Sequence, residues 1–445
     1  MTALFSQFGG LLGLIAAFVV ALSIIVAVHE YGHYIVGRWC GIKAEIFSLG
    51  FGPVIWSRMD RHDTRWQLAL LPLGGFVKFK GDDNAASAKD SEAMSELSPE
   101  ELRQTMHGAP LWARTLTVLA GPVFNFILSI LIFSAVMLFQ GRAVDPLTVG
   151  ALQPLPYEGI TLQEGDEIRA IDGVPLPEFG DAEGFDAFVD ALPRERLLSY
   201  TVERDGAVIE AKGPHPIPPR AMQLSPKSAA YDIDMRPGDV ILAVEGTPIA
   251  AFDDIKDVVE AGNGAPVRLD VWRGGETLEF VLVPRRVDEP QPEGGFKTQW
   301  RIGIAGGFAF EPATESLGPG RALVGGVTRT YDVIAGSLSG LYHIVSGAIS
   351  TCNMSGPIGI AQVSGAMASQ GADSFIWFIA VLSTAVGLLN LFPVPVLDGG
   401  HLVFFGYEAV RGKPPSDRAL RIFMSVGLTL ILGLMVFALF NDLLC

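Results

Sequence analysis

Five consecutive residues carry the clearest chemistry in this 445-residue chain, His29-Glu30-Tyr31-Gly32-His33. On a helix, positions i and i+4 share a face, so both imidazoles can reach one Zn2+ ion while Glu30 lies next to the metal-bound water. Such a string also occurs by chance, and three polar residues just outside a membrane would be the plain reading. The setting argues against that. No Lys, Arg, Asp or Glu precedes Glu30, so the string closes an apolar run, where polar groups are costly unless partnered.

A catalytic zinc site needs a third protein ligand and an open fourth position. Acidic residues are scarce in the apolar segments, and Asp398 stands out in Asn390-Leu-Phe-Pro-Val-Pro-Val-Leu-Asp-Gly-Gly-His-Leu402. His401 is a rival ligand three residues later. Pro393 and Pro395 withdraw backbone donors and distort the helix, which opens a non-helical stretch able to admit a substrate strand. A simple kink is the plain alternative.

Four charge-free runs must position these groups. They precede Glu30, lie between Arg114 and Arg142, between Asp373 and Asp398, and between Arg421 and Asp442. Each is long enough to span about 30 Å of hydrocarbon, so four transmembrane helices are predicted. A cleaved signal peptide is disfavoured for the first, which lacks a basic start and a small-residue cleavage site. Lys and Arg set the orientation. They are absent before the first helix but numerous after it (Arg38, Lys43, Arg58, Arg61, Arg65, Lys78, Lys80) and before the last (Arg411, Lys413, Arg418, Arg421). Both loops are assigned to the cytoplasm, and both termini and region 141–373 to the outside. The weakly polar stretch Val333–Ala372 reads as an interfacial amphipathic helix followed by a turn. A fifth crossing there would carry Asp398 to the face opposite His29 and His33.

Composition agrees. Hydrophobic residues are 49% and charged ones 18%, with a mean hydropathy of +0.37, which does not suit a wholly soluble protein. The net charge of −16 excludes a basic nucleic-acid binder. Residues 141–290 hold 28 acidic and 14 basic residues, so that region alone carries −14. The three cysteines, Cys40, Cys352 and Cys445, form no CxxC and suggest neither a disulfide framework nor a thiolate metal site.

The acidic region repeats itself. Leu162-Gln-Glu-Gly-Asp-Glu-Ile-Arg-Ala-Ile-Asp-Gly-Val-Pro175 matches Met235-Arg-Pro-Gly-Asp-Val-Ile-Leu-Ala-Val-Glu-Gly-Thr-Pro248 at an offset of 73. Later, Val202-Glu-Arg-Asp-Gly matches Val271-Trp-Arg-Gly-Gly. Each copy reads as a small β-rich unit with one helix, Glu183–Leu192 or Phe252–Ala261. The string resembles PDZ domains of the type found in bacterial envelope proteases. That implies recognition of a peptide end or strand by β-augmentation, with bulky spacers limiting access as the alternative.

Nearly the whole chain resembles the site-2 protease family of intramembrane zinc metalloproteases, and within it the regulator of sigma-E protease group with tandem PDZ domains. The likeness rests on the HExxH helix, Leu397-Asp-Gly399 and the tandem insert. It also rests on Gly50-Phe-Gly-Pro53, Leu71-Pro-Leu-Gly-Gly-Phe-Val-Lys78, Gly121-Pro-Val-Phe-Asn125 and Ser355-Gly-Pro-Ile-Gly-Ile-Ala361. The resemblance implies that His29, His33 and Asp398 ligate one zinc ion and that Glu30 is the catalytic base. It further implies substrate contacts at Asn390, Pro393, Pro395, Gly50 and Gly52, with packing as the other reading of Asn390. For Asn125 it implies a substrate-facing role, with helix–helix packing as the other reading.

The expected fold is a multi-pass α-helical membrane protein with a membrane-associated β region and two external PDZ-like α+β domains. The expected segments are 1–40 (first helix), 41–110 (membrane-dipping β region and a variable acidic loop), 111–141 (second helix), 142–218 and 219–288 (PDZ-like), 289–373 (linker and amphipathic helix), 374–410 (third helix) and 411–445 (fourth helix). The expected activity is cleavage of single-span membrane proteins, such as an anti-sigma factor or remnant signal peptides, in a bacterial inner membrane. The PDZ domains would then be periplasmic and the active site towards the cytoplasm, with the lipid bilayer and peptide ends as further partners and no nucleic acid. A non-catalytic scaffold has no use for Glu30, and a metal transporter would need a ladder of polar groups that the other runs lack.

Overall fold

The computed structural model describes residues 2–82, 94–95, 97–177, 182–291 and 295–444. Part of the acidic loop expected between Lys80 and Pro110 lies outside them. The chain divides into two compact units, one of Met1–Val136, Gly320–Ile344 and Thr351–Cys445, the other of Met137–Pro319 and Val345–Ser350.

The first unit is helical. Among the described residues four helices are long and apolar enough to cross a membrane: α1 (Thr2–Trp39), α2 (Leu111–Gln140), α7 (Ala372–Asn390) and α9 (Asp417–Leu444). At 1.5 Å per residue the 19 residues of α7 give about 28 Å, close to the hydrocarbon thickness. Small residues let α1 and α2 touch, because a Cβ on Gly32 would lie 2.6 Å from the Ala120 carbonyl oxygen. The single helix expected over 374–410 is instead two. Pro393 and Pro395 lack the N–H groups that would continue α7, and α8 (Asp398–Arg411) starts afresh at Asp398. The turn between them is too tight for side chains at its exit. A Cβ on Gly399 would meet the Leu391 and Phe392 carbonyl oxygens at 2.3 Å, and one on Gly400 the Val394 oxygen at 2.3 Å.

The stretch Val333–Ala372 holds two helices, not one followed by a turn. α5 (Pro319–Val345) is amphipathic and packs on α2, where Gly326 lies against Ser134. α6 (Pro357–Ser369) packs on α1, with Gly365 against Leu14. The start of α6 is held by α9, whose Asp442 carboxylate accepts from the Gly356 and Gly359 amides at 3.0 and 2.9 Å. The cysteine reading is corrected at one point, since Cys352 is disulfide-bonded.

Two bent strands, β1 (Ala44–Met59) and β2 (Arg65–Phe79), fold into one sheet. Ile46–Leu49 pair on one side with Gly75–Lys78 and on the other with Arg65–Leu68, and Val54–Met59 pair back on Arg65–Ala69. The bend is made by Gly50 and Gly52, at φ +90° and +84°, a region open to glycine. Phe51, Ile55, Trp56, Leu70, Leu71 and Leu73 on this sheet are exposed. Asp60 anchors its turn to α1. The carboxylate accepts from Tyr34 Oη (2.9 Å), Trp66 Nε1 (3.1 Å) and the His62 and Thr64 amides (2.7 and 3.0 Å). Burial raises the Asp60 carboxyl, but these four donors outweigh it and hold it at about 2.

The second unit contains the repeat. β4 (Glu167–Ile171), β5 (Val174–Pro175), β6 (Leu197–Arg204) and β7 (Ala207–Pro214) form a sheet of order β5-β4-β6-β7 with helix α3 (Ala182–Ala191). β9 (Val240–Val244), β10 (Thr247–Pro248), β11 (Val267–Arg273) and β12 (Glu276–Leu282) form the matching sheet of order β10-β9-β11-β12 with α4 (Phe252–Ala261). The copies share a buried ion pair. Asp166 is bidentate with Arg204 at 2.6 Å and accepts from the Gln163 amide, while Asp239 pairs with Arg273 and accepts from the Arg236 amide. Each copy also draws a strand from beyond residue 288. β3 (Val149–Leu152) pairs with β14 (Phe310–Pro312), and β8 (Gln223–Leu224) pairs with β13 (Ile304–Ala305).

Candidate active site

His29, Glu30 and His33 lie in the last third of α1, and Asp398 opens α8 across the turn from α7. The structure brings the two histidines and Asp398 together, with one ligand atom from each lying within 4.8 Å of the others. Asp398 Oδ2 is 3.1 Å from His29 Nε2 and 3.5 Å from His33 Nε2, and the two Nε2 atoms are 3.2 Å apart. Oδ2 is buried without a hydrogen bond of good geometry to either ring. Two imidazoles and a carboxylate aimed at one point, with an orphaned carboxylate oxygen, form a donor set that fits a tetrahedral zinc ion with one position open. His401 stands outside this group.

The second helix shapes the space around the rings. Gly121 of α2 faces them directly, since a Cβ there would lie 2.4 Å from His33 Nε2 and 2.8 Å from His29 Cε1. The Thr117 carbonyl accepts from His33 Nδ1 at 2.8 Å, which fixes the proton on Nδ1 and leaves the Nε2 lone pair facing Asp398. The Asn125 amide meets His29 Nδ1 at 3.2 Å, and the residue is fully buried.

Glu30 follows His29 and lies beside the sheet. A Cβ on Gly75 would lie 2.8 Å from the Ser48 carbonyl oxygen, 2.9 Å from Val26 Cγ1 and 3.2 Å from Glu30 Cγ, so glycine lets the strand run close against α1. α8 is fixed against α2 by Arg114, whose guanidinium donates to both carboxylate oxygens of Glu408 at 3.1 and 2.6 Å.

The remaining expected site residues are more scattered. Asn390 ends α7, with Nδ2 donating to the Val386 carbonyl at 3.1 Å. Pro393 and Pro395 form the α7–α8 turn, where Pro395 packs against Gly427 of α9. Gly50 and Gly52 make the bend of β1. Gly121, Gly399 and Gly400 each shape the site individually, and their signal in the sequence is no more than glycine in an apolar helix or beside the LDG acid.

A match to peptidase family M50 covers residues 17–434. A protein of Agrobacterium fabrum named as a zinc metalloprotease is 36% identical over 448 residues, covering 99% of this chain and 98% of its own length. One of Rhizobium meliloti with the same description is 36% identical over 434 residues, 96% of each chain. The regulator of sigma-E protease RseP of Salmonella typhimurium is 31% identical over 456 residues, 96% of this chain and 98% of its own.

Proposed function

Because the chain belongs to peptidase family M50 and is a zinc metallopeptidase of the site-2 type, we propose that it cleaves single-span membrane proteins within or beside their spanning segments. The observation that carries this reading is the convergence of His29, His33 and Asp398 beside Glu30 at the end of a membrane-length helix. In it, His29, His33 and Asp398 hold the ion. When bound, zinc supplies a Lewis acid for the scissile carbonyl and a lowered pKa for water. Glu30 accepts the proton of the attacking water and delivers it to the leaving amine.

A helical substrate hides its peptide bonds, so it must be drawn out into a strand. The β2 segment at Gly75–Val77 runs beside Glu30 and offers a strand to pair with, next to β1, which is bent by Gly50 and Gly52. Asn390 and the Pro393–Pro395 turn hold the other side of the extended substrate. The apolar face of this sheet lies in the bilayer.

The Lys/Arg-rich loops lie in the cytoplasm, with exposed Trp39 and Trp112 at the same ends of α1 and α2 as interfacial anchors. A disulfide at Cys352, near the far end of α9, suits the oxidising periplasmic side. The protein thus resides in the inner membrane, active site towards the cytoplasm and repeats outside. The two repeats are PDZ-like peptide-recognition domains. In the second, a cavity of about 280 Å³ is lined by Phe252, Ile255, Val259, Trp300, Ile302 and Ile304. In the first, Phe308 packs against the Phe185 ring at 5.2 Å. Substrates are single-span proteins shortened outside the membrane, such as an anti-sigma factor or remnant signal peptides.

Purified protein in detergent with zinc, incubated with single-span substrates, tests this reading by mass spectrometry of the products. Cuts should map inside or at the edge of the spanning segment and stop on chelation. Cuts confined to external domains, or unaffected by chelation, would overturn it.

A further inference from the structure

We propose that Asn125 is a positioning residue that sets the tautomer and the orientation of His29, so that α2 holds both ligand imidazoles. The inference rests on the ligand set proposed above. The two rings are held differently. His33 Nδ1 meets the Thr117 backbone carbonyl at 2.8 Å, an acceptor that cannot turn, and so Nδ1 must carry the proton. His29 Nδ1 meets the Asn125 side-chain Nδ2, at 3.2 Å. An asparagine can present a donor or an acceptor there. For His29 Nε2 to offer a lone pair on the side of Asp398, Nδ1 must be protonated and the amide must present Oδ1. As placed, Nδ2 faces the ring while Oδ1 is buried without a hydrogen bond; a half-turn of the amide exchanges the two atoms and gives Oδ1 the Nδ1–H.

The surroundings hold Asn125 in this place. Its side chain is shut in by α7, where a Cβ on Gly387 would come within 3.2 Å of Asn125 Cβ and 3.1 Å of the Pro122 oxygen. The Ser383 hydroxyl of the same helix donates to the Asn125 backbone carbonyl at 3.0 Å. With zero exposure, the side chain has no face for a peptide, which separates positioning from substrate contact. Partners that orient a metal-bound histidine contribute roughly 10–100-fold in metal affinity.

The test is zinc affinity of the full chain in detergent, read by competition with a chromogenic chelator and, for the cobalt form, by its visible spectrum. Asn125→Leu removes the acceptor and should weaken zinc by about 10–100-fold. Asn125→Asp keeps the shape and accepts from Nδ1–H, so it should hold zinc at least as tightly as the parent. Wild-type affinity in Asn125→Leu would overturn the proposal, as would loss of zinc in Asn125→Asp. If the leucine variant does not fold, the aspartate variant alone decides. His33→Ala in the same assay separates the two readings. Unchanged zinc there would remove the ligand set itself, whereas loss there with no change in Asn125→Leu would remove only the role of Asn125.

Discussion

Gly121→Ala adds one methyl group, replaces no proposed ligand and should disable the site. The new Cβ would lie 2.4 Å from His33 Nε2, 2.5 Å from His33 Cε1 and 2.8 Å from His29 Cε1. Ordinary contact begins at 3.4 Å, so the His33 ring must retreat by about 1 Å (3.4 less 2.4) or the helices must part by as much. Retreat breaks the 2.8 Å bond from Nδ1 to the Thr117 carbonyl. Parting pulls Gly32 off the Ala120 carbonyl that it packs against. Donor distances at a metal site hold to about 0.2 Å, and a 1 Å misplacement costs on the order of 100-fold in rate. Alanine is otherwise the better helix former by about 1 kcal/mol. The variant should therefore keep its thermal midpoint in detergent, bind zinc less tightly and cleave about 100-fold more slowly. Gly433→Ala in α9 has nothing within 4 Å of the added Cβ and serves as the neutral control. Full zinc occupancy with unchanged cleavage in Gly121→Ala would refute the packing reasoning.

Asp398→Ala should lower zinc content on elemental analysis and His401→Ala should not, since only Asp398 joins the two histidines; the opposite pattern would exchange the ligand assignment. Reporter fusions after Lys80 and Lys413 should read cytoplasmic and those after Gly206 and Asn353 external, and an external reading at Lys413 would sink the four-helix topology. Asp60→Asn should lower the thermal midpoint by an amount that is constant from pH 8 to pH 5. The Asp60 carboxyl titrates at about 2 when folded, against 3.8 ordinarily, so its contribution is complete above the ordinary value and fades as pH falls towards 2. A difference that closed between pH 8 and pH 6 would point to another group.

The charge-free runs made the four long helices legible, because exclusion of ionisable groups from hydrocarbon leaves a strong mark on sequence. The matching buried pairs Asp166–Arg204 and Asp239–Arg273 show why the 73-residue repeat was visible, since each copy keeps the residues its turn requires. The borrowed strands β13 and β14 were not visible, because pairing across 80 residues or more leaves no local pattern. The break between α7 and α8 was half legible. Pro393 and Pro395 announced a distortion, but that Gly399 and Gly400 must lie on the carbonyls of 391–394 follows only from the folded turn. At the site, helix periodicity paired His29 with His33, and the scarcity of buried acids singled out Asp398. The partners of the rings, Thr117, Gly121 and Asn125, could not be read because nothing in one sequence gives the rotation of α2 against α1.

Zinc content and proteolysis measured side by side on purified Glu30→Gln test the hydrolytic role most directly. Glutamine keeps the size and polarity of Glu30 but cannot accept a proton from water, and it leaves His29, His33 and Asp398 untouched. Zinc should remain at the parent level while cleavage of a single-span substrate falls to background. Parent-level cleavage by that variant would contradict the assignment of Glu30 as the base.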